Sequence, residues 1–326
     1  MRRIFSSTLL SLALGFSAHS TQADNQYSDM IVFGDSLSDT GNLQVFSQDP
    51  NTPSRFTNGP VAIEVLAAQL GLTISNALHL TGAQYGNNFA VAGAIAIDED
   101  GDESTPDINL PTQINSYLAF NGYQADPNAL HIVMIGGNDI RAARTLLISG
   151  EPHARHAAKQ RLRQATQSIK AQLKKLDDAG AKHFLVVNAP DVGAIPETDL
   201  VAAQLLATAE TRRQTRQANR LEDRTQRLSS IYNARLSRLV ERLKARQGMD
   251  IEAFDLQEFF TDLQDDSEQY GITNTEDACI YVFSAGGAMH PECDFETFTF
   301  FDEIHPTSKV HQLAGAAIFN TLTDHE

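Results

Sequence analysis

Three residues in this chain stand in contexts that fit nucleophilic catalysis. Ser36 follows the run Met30-Ile31-Val32-Phe33-Gly34-Asp35, and His305 closes Asp302-Glu303-Ile304-His305 near the other end. A hydroxyl attacks a carbonyl when a base takes its proton, and the base works best when a carboxylate orients it. On one helical turn, Asp302 and His305 point the same way. The carboxylate can then accept from the imidazole Nδ1 and leave Nε2 free for Ser36. Pro306 restricts His305 to extended or turn backbone, as suits a base carried on a loop. Each part has a plainer reading when taken alone. Ser36 would serve as a helix N-cap, and Asp-x-x-His is a common spacing.

Acyl chemistry also needs donors for the developing oxyanion. The candidates are the Ser36 N–H, the Gly93 N–H and the Asn138 side-chain amide. Gly93 closes Asn88-Phe89-Ala90-Val91-Ala92-Gly93, and Asn138 follows Gly136-Gly137. Plainer readings are a turn glycine and an Asx-turn. No Gly-x-Ser-x-Gly elbow surrounds Ser36, so an α/β-hydrolase fold is not indicated.

Apolar runs mark the elements that must position these groups. Residues 30–34, 87–94, 129–135, 183–188 and 250–254 read as five short strands. Helical patterns lie between and after them: Pro60 to Gly71, from Leu110, His156 to Ala179, Leu200 to Arg246, from Leu256, and Ser308 to Leu322. Such alternation implies an α/β fold with a mostly parallel, doubly wound sheet. The candidate residues follow strand ends or sit in late loops, on the face where such sheets bind ligands. His131 reads as structural. The arginines of Arg212 to Arg227 read as a solvated helix face. Residues 98–103 (Asp98-Glu99-Asp100-Gly101-Asp102-Glu103) only superficially resemble a calcium loop, because the twelfth-position carboxylate is missing.

The 326 residues carry a net charge of −16, which argues against a nucleic-acid partner. Residues 1–23 have two arginines, a short apolar run and a small-residue end, the pattern of a secretory signal peptide. This leaves residues 24–326 as one catalytic domain without a transmembrane segment, bound for the periplasm or the outside of the cell. Cys279 and Cys293 are the two cysteines, and in an oxidising compartment they read as one disulfide. No Gly-x-Gly-x-x-Gly or Gly-Lys-Ser/Thr loop is present, so neither cofactor nor metal is expected.

Gly34-Asp35-Ser36-Leu37, the block ending at Gly93, Gly137-Asn138-Asp139 and Asp302-Glu303-Ile304-His305-Pro306-Thr307 together resemble the four blocks of GDSL, or SGNH, hydrolases. Asp39-Thr40-Gly41-Asn42, Arg55-Phe56-Thr57-Asn58-Gly59-Pro60 and Leu110-Pro111-Thr112-Gln113 look like the lipase and phospholipase branch. The cysteine-bracketed segment is similar to that of secreted lysophospholipases and glycerophospholipid:cholesterol acyltransferases. The resemblance implies a flavodoxin-like α/β/α sandwich and ester hydrolysis through an acyl-serine. It makes Ser36 the nucleophile, His305 the base, Asp302 its orienter, and Gly93 and Asn138 oxyanion donors. The implied substrate is a lipid, lysophospholipid or short-chain ester, with transient contact to lipid surfaces and acyl transfer as a side activity. A carbohydrate O-acetyl esterase and a non-catalytic binding module are the alternatives. For long acyl chains, Phe283, Phe295, Phe298, Phe300 and Phe301, with the loop from Phe46 to Phe56, are candidates to line an apolar groove.

Overall fold

The structure is a computed structural model that describes residues 26–99 and 107–324. The signal peptide lies outside the described residues, as does most of the acidic loop after Asp98. Four parallel strands form the central sheet in the order β1 (Met30–Gly34), β2 (Leu130–Met134), β3 (His183–Val187) and β4 (Asp250–Phe254). Alternate strand residues face opposite sides. Ile31, Phe33, Val133, Phe184, Val186 and Ile251 enter one core. Met30, Val32, Ile132, Met134, Leu185 and Val187 enter the other. Both faces are therefore apolar, as a sheet covered on both sides requires.

The first core is closed by helices α3 (Leu110–Phe120), α4 (Gly137–Ile148), α5 (Ala154–Asp178) and α8 (Leu221–Gln247). Helices α2 (Ala62–Gln69), α9 (Leu256–Asp265) and α11 (Ser308–Thr323) close the second. The result is an α/β/α sandwich of flavodoxin-like layering. Helix α1 (Asn42–Ser47) lies just after the Ser36 turn.

Two expectations change in detail. The predicted strand at 87–94 is not a full member of the sheet. Its backbone runs along the free edge of β1 through one parallel bridge, Val32 to Asn88, and the Phe89 N–H donates to the Val32 carbonyl at 2.8 Å. The next bond is Val91 N–H to the Gly34 carbonyl at 3.2 Å, after which the chain turns through Gly93 at φ +86°. The long helix expected over Leu200 to Arg246 is three helices, α6 (Pro196–Ala207), α7 (Arg212–Ala218) and α8. A capping box at Thr211 separates α7 from α6. The Thr211 hydroxyl accepts the Gln214 N–H, and the Gln214 side chain accepts the Thr211 N–H.

The segment after α9 is more ordered than its composition implies. Strand β5 (Asn274–Ala278) pairs with β8 (Phe298–Phe300), and β6 (Ile280–Tyr281) pairs with β7 (Ala288–Met289). The short helix α10 (Val282–Ala285) sits between the latter two. Cys279 and Cys293 are joined as a disulfide around this hairpin.

Candidate active site

Ser36 leaves the carboxyl end of β1 on a turn in which the Asp35 carbonyl accepts the N–H groups of Ser38 and Asp39. Gly34 has to be glycine, since a Cβ there would lie 2.6 Å from the Met134 carbonyl oxygen of β2. The Gln113 side chain clamps this strand end. It accepts the Gly34 N–H at 2.9 Å and donates to the Gly34 carbonyl at 2.8 Å. Asp35 is buried beside the turn and accepts the Leu37 N–H. Burial pushes its carboxyl up to about 6, against the Leu37 N–H and the nearby His305, which pull it down.

His305 arrives from the far end of the chain. Its Nε2 lies 2.8 Å from Ser36 Oγ. Its Nδ1 lies 2.9 and 2.8 Å from the two Asp302 oxygens, and its own N–H donates to Asp302 at 2.8 Å. Asp302 and His305 are buried, while Ser36 is partly open. The Phe56 ring packs on the imidazole at 5.2 Å between centroids. Thr57 Oγ1 donates to the Pro306 carbonyl, and Asn58 accepts the Ser308 N–H, so the 55–60 block braces the histidine loop.

Asn138 begins α4 next to Ser36 in the same cleft. Its Oδ1 accepts from Arg141 at 3.0 Å, and its Nδ2 donates to the Ala94 carbonyl at 3.0 Å. Those partners fix which way the amide faces and leave one N–H unused. Arg141 is itself held by both oxygens of Glu197. Gly136 cannot carry a side chain, because its φ is +136° and a Cβ would fall 2.2 Å from the Tyr232 hydroxyl. That hydroxyl donates to the Ile135 carbonyl at 2.7 Å. Gly93 is exposed at the turn after Ala92, with φ +86°.

Several residues that support the site are not identifiable as such from sequence. Asp39 is buried, and its carboxylate accepts the N–H groups of Gly41, Asn42, Leu43 and Ala92. Asp139 accepts the Ala96 N–H at 2.8 Å, and burial pushes its carboxyl up to about 6. Glu303 is fully buried between Asp302 and His305. It accepts the N–H groups of Val282, Phe283 and Ser284 and the Ser284 hydroxyl at 2.7 Å. This ties the disulfide-closed hairpin to the Asp-His block. A charged residue inside a motif was the available signal, but its partners lie too far along the chain to read.

The cleft at Ser36 is walled by Leu37, Val192, Ile195, Phe260, Ile304 and Pro306. Of the five late phenylalanines expected there, Phe300 alone contributes. Phe298 is core, Phe295 stacks on Phe301, and Phe283 is exposed. The loop from Phe46 to Phe56 adds no cleft wall residue either. Among the described residues no group of acidic, histidine or cysteine side chains is arranged to hold a metal ion.

Comparison with known proteins matches this sequence to a family. The family model described as GDSL-like lipase/acylhydrolase matches residues 30–318. The chain is 27% identical to Lipase 1 of Photorhabdus luminescens over 99% of its own length and 54% of that protein's. It is 25% identical to a phosphatidylcholine-sterol acyltransferase of Aeromonas hydrophila, over 82% of this chain and 70% of that one. It is also 25% identical to a thermolabile hemolysin of Vibrio parahaemolyticus, over 88% and 62%. The chain thus spans about half the length of Lipase 1. With its motif blocks gathered at one cleft and the model matched from the first strand to the last helix, this chain belongs to the GDSL-like lipase/acylhydrolase family.

Proposed function

We propose that this protein is a secreted serine ester hydrolase acting on lipid or lysophospholipid acyl esters. One observation carries the reading. His305 bridges Ser36 Oγ at 2.8 Å and the Asp302 carboxylate at 2.8 Å, one ring nitrogen to each. Ser36 Oγ attacks the ester carbonyl while His305 Nε2 takes its proton. The proton then passes to the departing alcohol. Water attacks the acyl-serine, again giving a proton to His305, and the acid leaves as Ser36 recovers its hydrogen. Asp302 keeps Nδ1 protonated and supports the charged ring. The Ser36 and Gly93 N–H groups and the free Asn138 N–H stabilise the oxyanion.

The apolar cleft wall favours an acyl chain over acetyl. Secretion is supported by the leader-like start and by the disulfide. The relatives' printed names, a lipase and a sterol acyltransferase, are compatible with transfer of the acyl group to an alcohol in place of water.

The test pairs fluorophosphonate labelling with turnover on p-nitrophenyl esters of rising chain length, lysophosphatidylcholine and acetylated xylan. Wild type is expected to be labelled at Ser36 and to prefer the longer chains or the lysolipid. Ser36→Ala should lose the label and on the order of 10⁶ in turnover. A wild type that takes no label would favour the binding module. A preference for xylan would favour the acetyl esterase.

A further inference from the structure

Helices α5 and α8 lie side by side, and the groove between them has cationic walls. Arg163 and Lys170 stand on one wall, and Arg235, Arg238, Arg242 and Arg246 on the other. Lys159 and Arg227 continue it toward the start of the two helices. From Arg227 to Arg246 the groove runs about 30 Å at the helical rise per residue.

Among the described residues no aspartate or glutamate lines any part of it. The same helices do carry acids, namely Asp177, Asp178, Glu222, Asp223 and Glu241, but all lie off the groove. Among the described residues none of the groove cations forms an ion pair. Like charges also crowd at the helix starts, where burial and then Arg155 lower the Arg224 guanidinium. This concentration sits on a chain of net charge −16. Uncompensated like charges cost free energy through self-repulsion, and a bound anion relieves it.

The chemistry of the face narrows the partner. Helices that lie on bilayers set large apolar side chains beside their cations. Sites for single-stranded nucleic acid set aromatic rings beside theirs. The large apolar side chains that line the groove, Ile231, Leu239 and Leu243, are half-buried or buried, and among the described residues every exposed large apolar or aromatic side chain lies off α5 and α8. Residues three or four apart on a helix have Cβ atoms about 5–6 Å apart, so the cations recur regularly along the groove, as suits a chain with repeated anionic groups. Most of these cations are arginines, whose guanidinium grips carboxylate, sulfate or phosphate through two parallel bonds.

We propose that the groove between α5 and α8 binds a linear acidic polysaccharide. The choice of a polysaccharide rests on the secretory reading above, since acidic polysaccharides are linear polyanions common outside the cytoplasm. Gln226 lines the Ser36 cleft and Arg227 lines the groove, so a bound polymer holds the enzyme with its cleft nearby.

The test measures binding of the intact protein to heparin, a sulfated chain, and to polygalacturonate, a carboxylated one, at several salt concentrations. Duplex DNA and phosphatidylglycerol vesicles run alongside. The expected result is polysaccharide binding that weakens steeply with salt. Arg238→Gln/Arg242→Gln/Arg246→Gln should weaken it at least about tenfold and flatten the salt dependence by nearly one unit of slope for each arginine replaced. Its turnover on a soluble p-nitrophenyl ester should equal wild type. If that variant misfolds, the single changes Arg242→Gln and Arg246→Gln are read for the same weakening. The proposal is overturned if wild type binds neither polymer, if the variants bind as wild type does, or if DNA or vesicles bind more tightly than both polysaccharides. Ester turnover and binding are read separately, so failure of one leaves the other standing.

Discussion

The Asp39 carboxylate accepts the Ala92 N–H at 2.8 Å, joining the turn that follows Ser36 to the residue before Gly93. The same carboxylate gathers the N–H groups of Gly41, Asn42 and Leu43. Asn88 reinforces the join by donating to the Ser38 carbonyl at 2.7 Å and to Thr40 Oγ1 at 2.9 Å. Two of the proposed oxyanion donors are therefore held by one buried polar network.

Asp39→Asn should damage both stability and catalysis. The amide presents an NH₂ where the carboxylate accepted, leaving at least one backbone N–H unpaired. Bonds to a charged acceptor contribute roughly 1.5–3 kcal/mol each, and an orphaned buried group costs a similar amount. Thermal melting should drop by several degrees, and turnover should fall more than KM rises. A variant that melts and turns over like wild type would refute the role.

Glu303→Gln should loosen the hairpin at residues 282–284. The carboxylate now accepts from three successive backbone N–H groups and one hydroxyl. The expected loss is about 2 kcal/mol. Hydrogen exchange should speed up at Phe283 and Ser284, whereas amides of the central sheet keep their protection. Unchanged exchange at these two positions would count against the anchor.

Removing the disulfide by Cys279→Ser/Cys293→Ser should cost ~3 kcal/mol in the chain-entropy account of a loop this short. The hairpin and Glu303 share the Asp-His block. Loss of the disulfide and Glu303→Gln should therefore be non-additive in a double-mutant cycle. Strict additivity would show that the two act apart.

The pH dependence of stability has a definite sign. Burial lowers His79 and His131 to about 4, and burial with the nearby His305 lowers His311 to about 3. Unfolded imidazoles titrate near ~6.5, so between that value and about 4 the unfolded chain binds more protons. Stability is thus lost as pH falls through this window. Asp35, Asp139 and Asp199, raised to about 6, act oppositely between about 4 and 6, because there the folded chain binds more protons. The histidine effect begins near ~6.5, ahead of the carboxylates at about 6, so melting should fall from pH 7 toward pH 6. Among the described residues neither His79 ring nitrogen has a partner, and the ring packs on Phe89 at 5.3 Å. His79→Phe should therefore lessen the slope by up to about 1.4 kcal/mol per pH unit. Melting curves of the two proteins across this range make the comparison, and equal slopes would contradict it.

Much of the site was legible because its parts obey local rules. An apolar run stopped by Gly34 marks a strand end, and Ser36 follows it. The run ending at Ile135 places Asn138 in the same way. Asp302 and His305 are close in sequence, so their contact needed no knowledge of the fold. The break at Thr211 was less visible, because helical periodicity continues across it with no glycine or proline to mark the boundary.

Sequence alone determined the α/β alternation, the strand ends that carry the candidate residues, and the pairing of Asp302 with His305. These depend on periodicity and on neighbours within a turn. Tertiary structure decided that Ser36 meets His305 across 269 positions. It also put Phe260 and Ile195 in the cleft wall in place of most of the late phenylalanines, and it turned Glu303 inward to hold the hairpin. Those outcomes depend on which distant backbone groups packing brings within hydrogen-bond reach, and that is a property of the assembled layers.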